Sequence, residues 1–225
     1  MHVTSEPGIL YFGTPVVLIS STNEDGSANL APMSSAFWLG WRGILGLSAA
    51  SKTTQNLRRT GECVLNLPSV NEVAAVNRLA RTTGSDPVPE VKLRRGYRFE
   101  PHKFVVSGLT PIASETISPP RVRECPVQLE AKVEAMHGLA EGDPALRGRT
   151  AVIEVRIVRV HVEQNILTDG DPDRIDPDKW RPLIMSFQEF YGLAPHKLQP
   201  SILGQIPERL YRSPDVERAR GERAA

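Results

Sequence analysis

The sequence predicts a mainly β chain with a few helices, on three observations. An apolar run, Pro15-Val16-Val17-Leu18-Ile19-Ser20, reaches the turn Asn23-Glu24-Asp25-Gly26 and continues into a small-residue strand ending at Ala36. Two long segments, residues 125–136 and 151–162, alternate apolar and polar side chains, the period of a barrel strand with one wetted face. Helical patterning is confined to short stretches between these runs.

Residues 16–20 are apolar and β-branched, as a buried strand requires. Gly26 supplies the positive φ of a turn, so residues 16–20 and 27–36 read as a hairpin with a loop longer than two residues. Pro32 donates no backbone hydrogen bond, which places it on an edge or at a bulge. Residues 44–48 and 62–67 are further strands. Between them Ser51 reads as the N-cap of a helix running to Arg59, with Leu57 turned inward and Gly61 ending it. Residues 71–81 form a second helix, with Val73, Val76, Leu79 and Ala80 on one face.

Residues 82–101 are charged and rich in turn formers, and read as an insertion or lid. Pro119-Pro120 is a second break. In the first long strand Val127, Leu129, Ala131, Val133 and Ala135 share a side; in the second, the run passes through Val155, Ile157 and Val160. The chain becomes tail-like after Asp169-Gly170-Asp171-Pro172. The expected organisation is one domain over residues 1–168 and an extension over 169–225 that packs on the barrel or a partner. That extension holds Trp180, Phe187, Phe190 and Tyr191, a short helix near residues 201–211, and a polar end, 214–225, expected to fray.

The 225 residues carry 27 basic and 26 acidic side chains, a net charge of +1. That balance leaves no footprint for nucleic acid or anionic lipid. The two cysteines, Cys63 and Cys125, have no metal or redox spacing and suit a reducing cytoplasm. The first residues lack the basic start and apolar core of a signal peptide, and no stretch approaches about 20 apolar residues. The expectation is a soluble cytoplasmic protein without nucleic-acid or membrane partners. No P-loop, no G-x-S-x-G, no H-E-x-x-H and no G-x-G-x-x-G after a strand occurs. His2, His102, His137, His161 and His196 are scattered; His137 and His161 fall near the ends of two strands that could pair, but no third ligand has metal spacing, and no metal is expected.

A phosphate monoester needs several N–H or O–H donors and a cation, and a helix N-terminus beside a lysine supplies both. Ser48, Ser51, Lys52, Thr53 and Thr54 lie within seven positions ahead of the first helix, and Asn56 follows one turn later. The same residues also describe an ordinary capped helix with a solvated lysine.

In this order, the runs from Thr14 to Pro68, with Ser107-Gly108-Leu109-Thr110-Pro111 and Cys125-Pro126-Val127-Gln128-Leu129-Glu130 further on, resemble the flavin reductase-like, FMN-binding split β-barrel family. The resemblance implies a dimeric, Greek-key-like barrel with FMN in a groove at the subunit interface. It implies phosphate contacts from the residues around Lys52, and ring contacts from Asn29, Ala31, Pro32, Met33, Ser34 and Ser35. It further implies hydride transfer from NADH or NADPH to flavin, with reduced flavin serving a small-molecule substrate or a flavin-dependent monooxygenase. Two alternatives stand beside this: FMN held tightly for direct work on an organic substrate, and a non-catalytic flavin or haem carrier. The aromatic tail either stacks on a ring or anchors a dimer.

Overall fold

The structure, a computed structural model, describes residues 1–224. A seven-stranded antiparallel sheet carries the fold: β1 (Val17–Thr22), β2 (Ala28–Met33), β3 (Ala36–Leu39), β4 (Arg42–Ser48), β5 (Glu62–Leu67), β6 (Val127–Gly138) and β7 (Thr150–Val162). The order across the sheet is β2-β1-β5-β6-β7-β4-β3. Strands β2 and β3 are therefore its two edges, although only Ser34 and Ser35 separate them in the chain. The Gly46 amide donates to the Ser35 carbonyl at 2.8 Å, extending the β3–β4 pairing by one step, and residues of β2 and of the end of β4 face one another across an open seam.

Among the described residues five helices decorate the sheet: α1 (Lys52–Thr60), α2 (Val73–Leu79), α3 (Glu90–Leu93), α4 (Lys103–Ser107) and α5 (Pro214–Ala224). Strand β1 is buried on both faces, which is why its sequence is apolar without alternation. Val17 and Ile19 join Leu45, Leu65, Ile153 and Val155 inside the barrel. Leu18 faces the other way, onto Leu30, Val76, Leu79 and Phe104 under α2 and α4. Truncating a side chain such as Leu18 to alanine would cost about 2–5 kcal/mol. Helix α1 starts as expected: the Ser51 side chain accepts from the Thr54 amide, and Gly61 ends the helix at φ 68°.

Several elements differ from expectation. The β1–β2 ladder runs without a register shift, so Pro32 is tolerated because β2 is an edge, not because of a bulge. The second helix begins as a 3-10 turn, Val70–Glu72, capped by Ser69, and its buried face uses Ala75 while Ala80 is exposed. Residues 82–101 contain α3 and a parallel pairing of Thr82–Thr83 with Arg98–Phe99. The second face of β6 is not wet at its start: Gln128 and Glu130 are buried beneath residues 113–125. In the tail, Ile184–Ser186 pairs with Thr14–Pro15 and with Glu189–Tyr191. Two 3-10 turns occupy 202–205 and 208–211. Of the polar end expected to fray, Pro214–Ala224 is helical and Ala225 lies outside the described residues; Arg42 grips Asp215 through two bonds of 2.8 and 3.2 Å.

Candidate functional site

A cleft of about 360 Å³ opens along the seam. One wall is β2 and its exit, bringing Asn29, Ala31, Pro32, Met33, Ser34 and Ser35 together with Gly46, Leu47 and Ser48 of β4. The start of α1 closes this wall with Ser51, Lys52 and Thr53. These ten expected site residues thus meet in one place. Thr54 and Asn56 do not line the cleft. The Thr54 hydroxyl donates to the Ser48 carbonyl at 2.9 Å, and the Asn56 amide donates to Ser21 at 3.1 Å and Asn23 at 2.8 Å. Both lie inside the scaffold and fix the start of α1 against the hairpin.

Asn29 is itself buried and donates to the Thr53 hydroxyl at 3.2 Å, so it orients Thr53. The backbone amides of Lys52 and Thr53, in the first turn of α1, have no partner within the helix. Lys52 Nζ lies 2.7 Å from Glu24 Oε2. The bond from Lys52 holds the Glu24 carboxyl below its ordinary range. The cation expected to meet a phosphate is therefore shared with a carboxylate.

The second wall comes largely from the expected insertion, although its individual residues were not named from the sequence. Thr82, Thr83, Gly84, Lys92 and Tyr97 come from the segment expected to be an insertion or lid, and Arg81 and Lys103 flank it. The close approach is made at Gly84, where an added Cβ would sit 2.7 Å from Asn29 Oδ1 and 3.1 Å from Lys52 Cγ. Lys103 is only 2% exposed, and its amine reaches the Leu30 carbonyl at 3.4 Å. Burial, reinforced by the charge of Lys92, lowers its pKa to about 8. Lys92 donates to Thr83 Oγ1 at 3.1 Å and sits 5.7 Å from the Tyr97 ring centroid; burial lowers its pKa too. The sequence signal for Lys103 was its position at the head of the apolar run Phe104-Val105-Val106. Lys92 was hidden inside a charge run that reads as solvated.

The aromatic residues of the tail do not line the cleft, whereas Tyr11 does. Phe187 packs edge-on against Phe12 with centroids 5.1 Å apart, and Phe190 packs on the outer core. His137 and His161 stand at opposite ends of the β6–β7 ladder. His161 Nε2 is 2.7 Å from Glu130 Oε1. Among the described residues no group of three or more His, Cys, Asp or Glu is placed to hold a metal ion, and no helix is long and apolar enough to cross a membrane.

This geometry coincides with a family. The model of the flavin reductase like domain matches residues 9–194. The chain belongs to the flavin reductase-like family. Protein YdfE of Bacillus subtilis (strain 168) is 37% identical over 189 residues, spanning 84% of this chain and 88% of YdfE. Flavoredoxin of Desulfovibrio vulgaris (Miyazaki F) superposes with a TM-score of 0.71 at 20% identity, covering 91% of this chain and 100% of that one. Nitrilotriacetate monooxygenase component B from Bacillus cereus superposes at 0.67 with 22% identity, covering 86% and 89%. At those identities the two structures share the fold, which is the split barrel of the flavin reductase-like family. Membership brings flavin binding and oxidoreductase chemistry in general. The cleft residues fit such a ligand: a free strand edge for a flat polar ring, and an amide-rich helix start for an anion.

Proposed function

We propose that the protein is an FMN-dependent oxidoreductase of the flavin reductase type, which passes hydride from NADH or NADPH to flavin. One observation carries the reading. A single cleft joins the open edge of β2, the side chains of Ser34, Ser35 and Ser48, and the amide end of α1. When bound, flavin supplies the hydride and electron chemistry.

The chain's part is to bind, orient and exclude water. Ala31, Pro32, Ser34 and Ser35 are small enough to let the ring lie against backbone, and Asn29 and Met33 border it. Ser48, Ser51, Lys52 and Thr53 hold the phosphate, with the free amides of α1 adding their partial positive charge. Thr54 and Asn56 support that turn from behind. Ile19, Leu47 and Leu79 line the apolar part of the cleft, lowering the local dielectric and strengthening each polar contact. Hydride transfer asks no general acid of the protein.

The likeness to a monooxygenase component B supports the view that reduced flavin is handed to a monooxygenase. The protein is read as a homodimer. Leu198, Ile202, Leu203 and Leu210 are 67–97% exposed, an apolar ridge that a partner subunit would cover. A second reading rests on the wall fixed at Gly84: FMN stays resident and the protein acts directly on an organic substrate.

An anaerobic titration of the protein as isolated with NADH and then NADPH, followed by absorbance, tests both. Turnover that requires added free flavin supports the first reading. Bleaching of resident flavin without it, restored by an organic acceptor, supports the second. Protein that neither carries nor takes up FMN refutes both.

A further inference from the structure

We propose that Arg81, Lys92 and Tyr97 form a second anion subsite in the cleft, selective for a phosphate group and separate from the start of α1. The three residues belong to the wall opposite the predicted cradle. They form a continuous patch. The Arg81 guanidinium lies against Gly96, where an added Cβ would be 3.3 Å from Nη1, and Lys92 stands over the neighbouring Tyr97 ring.

The backbone is shaped for this arrangement. Arg81 has φ 53°, a left-handed conformation uncommon for a residue with a Cβ, and Gly96 has φ 75°. The patch is also stitched in place. The Arg98 amide donates to the Arg81 carbonyl at 3.0 Å, and the Glu100 amide to the Thr83 carbonyl at 2.9 Å. Such strain, held by paired backbone, fits a residue placed for a ligand.

The patch is cationic. Among the described residues Lys52 has Glu24, but neither Arg81 nor Lys92 forms an ion pair. Of the acids in the same segment, Glu90 binds Arg94 and Glu100 accepts from the His102 amide. Lys103 adds a third cation to the same wall, its amine on the Leu30 carbonyl and Glu100 acting on it only through space. Arg81 is exposed at the mouth while Lys92 is half-buried and Lys103 buried, and such a cluster of cations favours an anionic ligand. A guanidinium fork beside an ammonium and a phenol matches the several oxygens of a phosphate better than a single carboxylate. With the FMN phosphate assigned to the start of α1, the ligand of that chemistry is the pyrophosphate of a nicotinamide dinucleotide. Naming it rests on the flavin reductase reading above; the subsite itself does not.

The test uses the full chain and the variants Arg81→Gln and Lys92→Gln, with folding checked by circular dichroism. Calorimetry with inorganic pyrophosphate reads the subsite directly, and flavin fluorescence reads FMN and riboflavin, which differ by the phosphate. Each variant is expected to weaken pyrophosphate binding about tenfold or more. A collapsed preference for FMN over riboflavin would place the flavin phosphate at these residues and overturn a subsite separate from the α1 cradle. An intact preference with NADH or NADPH binding weakened to the same extent supports the dinucleotide assignment. Wild-type protein that binds pyrophosphate but neither flavin keeps the subsite and removes the flavin reading. No pyrophosphate binding by the wild type, or variants within twofold of it for every ligand, overturns the proposal.

Discussion

Lys52 Nζ and Glu24 Oε2, 2.7 Å apart, tie the first turn of α1 to the β1–β2 turn. An incoming phosphate has to compete with Glu24 for this lysine. Lys52→Ala is expected to weaken FMN binding on the order of tenfold to a hundredfold, the loss of one charge-assisted contact. Glu24→Gln is expected to do the opposite, tightening FMN severalfold. Because Glu24 is 59% exposed, that gain should shrink at high salt. Flavin fluorescence titrations of the three proteins at two ionic strengths check both; a Glu24→Gln protein that binds more weakly than wild type would place Lys52 outside the phosphate contact.

Gly84 is where the two walls of the cleft meet. An alanine Cβ would press on Asn29 Oδ1 and on the Lys52 stem. Asn29 is buried and bonded to Thr53, so it cannot easily yield. Gly84→Ala should cost about 1–3 kcal/mol of stability and displace the second wall. A thermal melt alongside FMN and pyrophosphate titrations checks this. Unchanged melting and unchanged affinities would mean that the 82–84 segment moves freely relative to β2.

Glu130 lies under residues 113–120 with no exposed side-chain surface. Burial pushes its carboxyl up. The bonds from His161, Thr116 and the amides of Glu115 and Thr116 outweigh that and bring its pKa down to about 2, against an ordinary 4.5. The unfolded chain therefore binds this proton more readily than the folded one. Stability from Glu130 is fully present above about pH 4.5 and is lost as pH falls from there towards 2. The shift corresponds to about 3 kcal/mol. Wild-type protein should lose melting temperature across that window, and Glu130→Gln should be less stable at pH 7 with a flatter acid profile. Parallel acid slopes for the two proteins would show that other groups set the acid limit.

Glu130 also illustrates what a sequence conceals. Alternation correctly placed Val127, Leu129 and Ala131 on the inner face of β6, because burial of apolar residues has a period that can be read. It predicted water on the other face, because nothing local reveals that residues 113–120 return to cover it. The cleft divides in the same way. The β2 run and the start of α1 are each a short continuous stretch of sequence and were legible through cap chemistry and strand pattern. The opposing wall was not, since Arg81, Lys92 and Lys103 become neighbours only through the parallel pairing of two dipeptides sixteen positions apart, Thr82–Thr83 and Arg98–Phe99. The helical end at 214–224 was missed for a related reason. Its anchor, Arg42, lies in β4, far away in the chain.

Lys103 makes the sharpest alkaline prediction. Its amine is buried beside Leu30 without a carboxylate, and burial together with Lys92 brings its pKa from 10.5 to about 8. Between these values the unfolded chain binds the proton and the folded chain does not, so stability rises as pH increases from 8 to 10.5. Below pH 8 the buried charge costs about 3 kcal/mol. Lys103→Met keeps the aliphatic stem and removes the charge, so the variant should melt higher at pH 7 and show no rise through that window. Its FMN affinity should be weaker at pH 7 and nearly independent of pH from 7 to 10, whereas wild-type affinity should fall above pH 8 as the amine loses its proton. Melting curves and FMN titrations of both proteins over pH 6–10.5 read the two effects separately. A variant that is more stable yet binds FMN as wild type does would make Lys103 a tolerated buried charge that never meets the ligand.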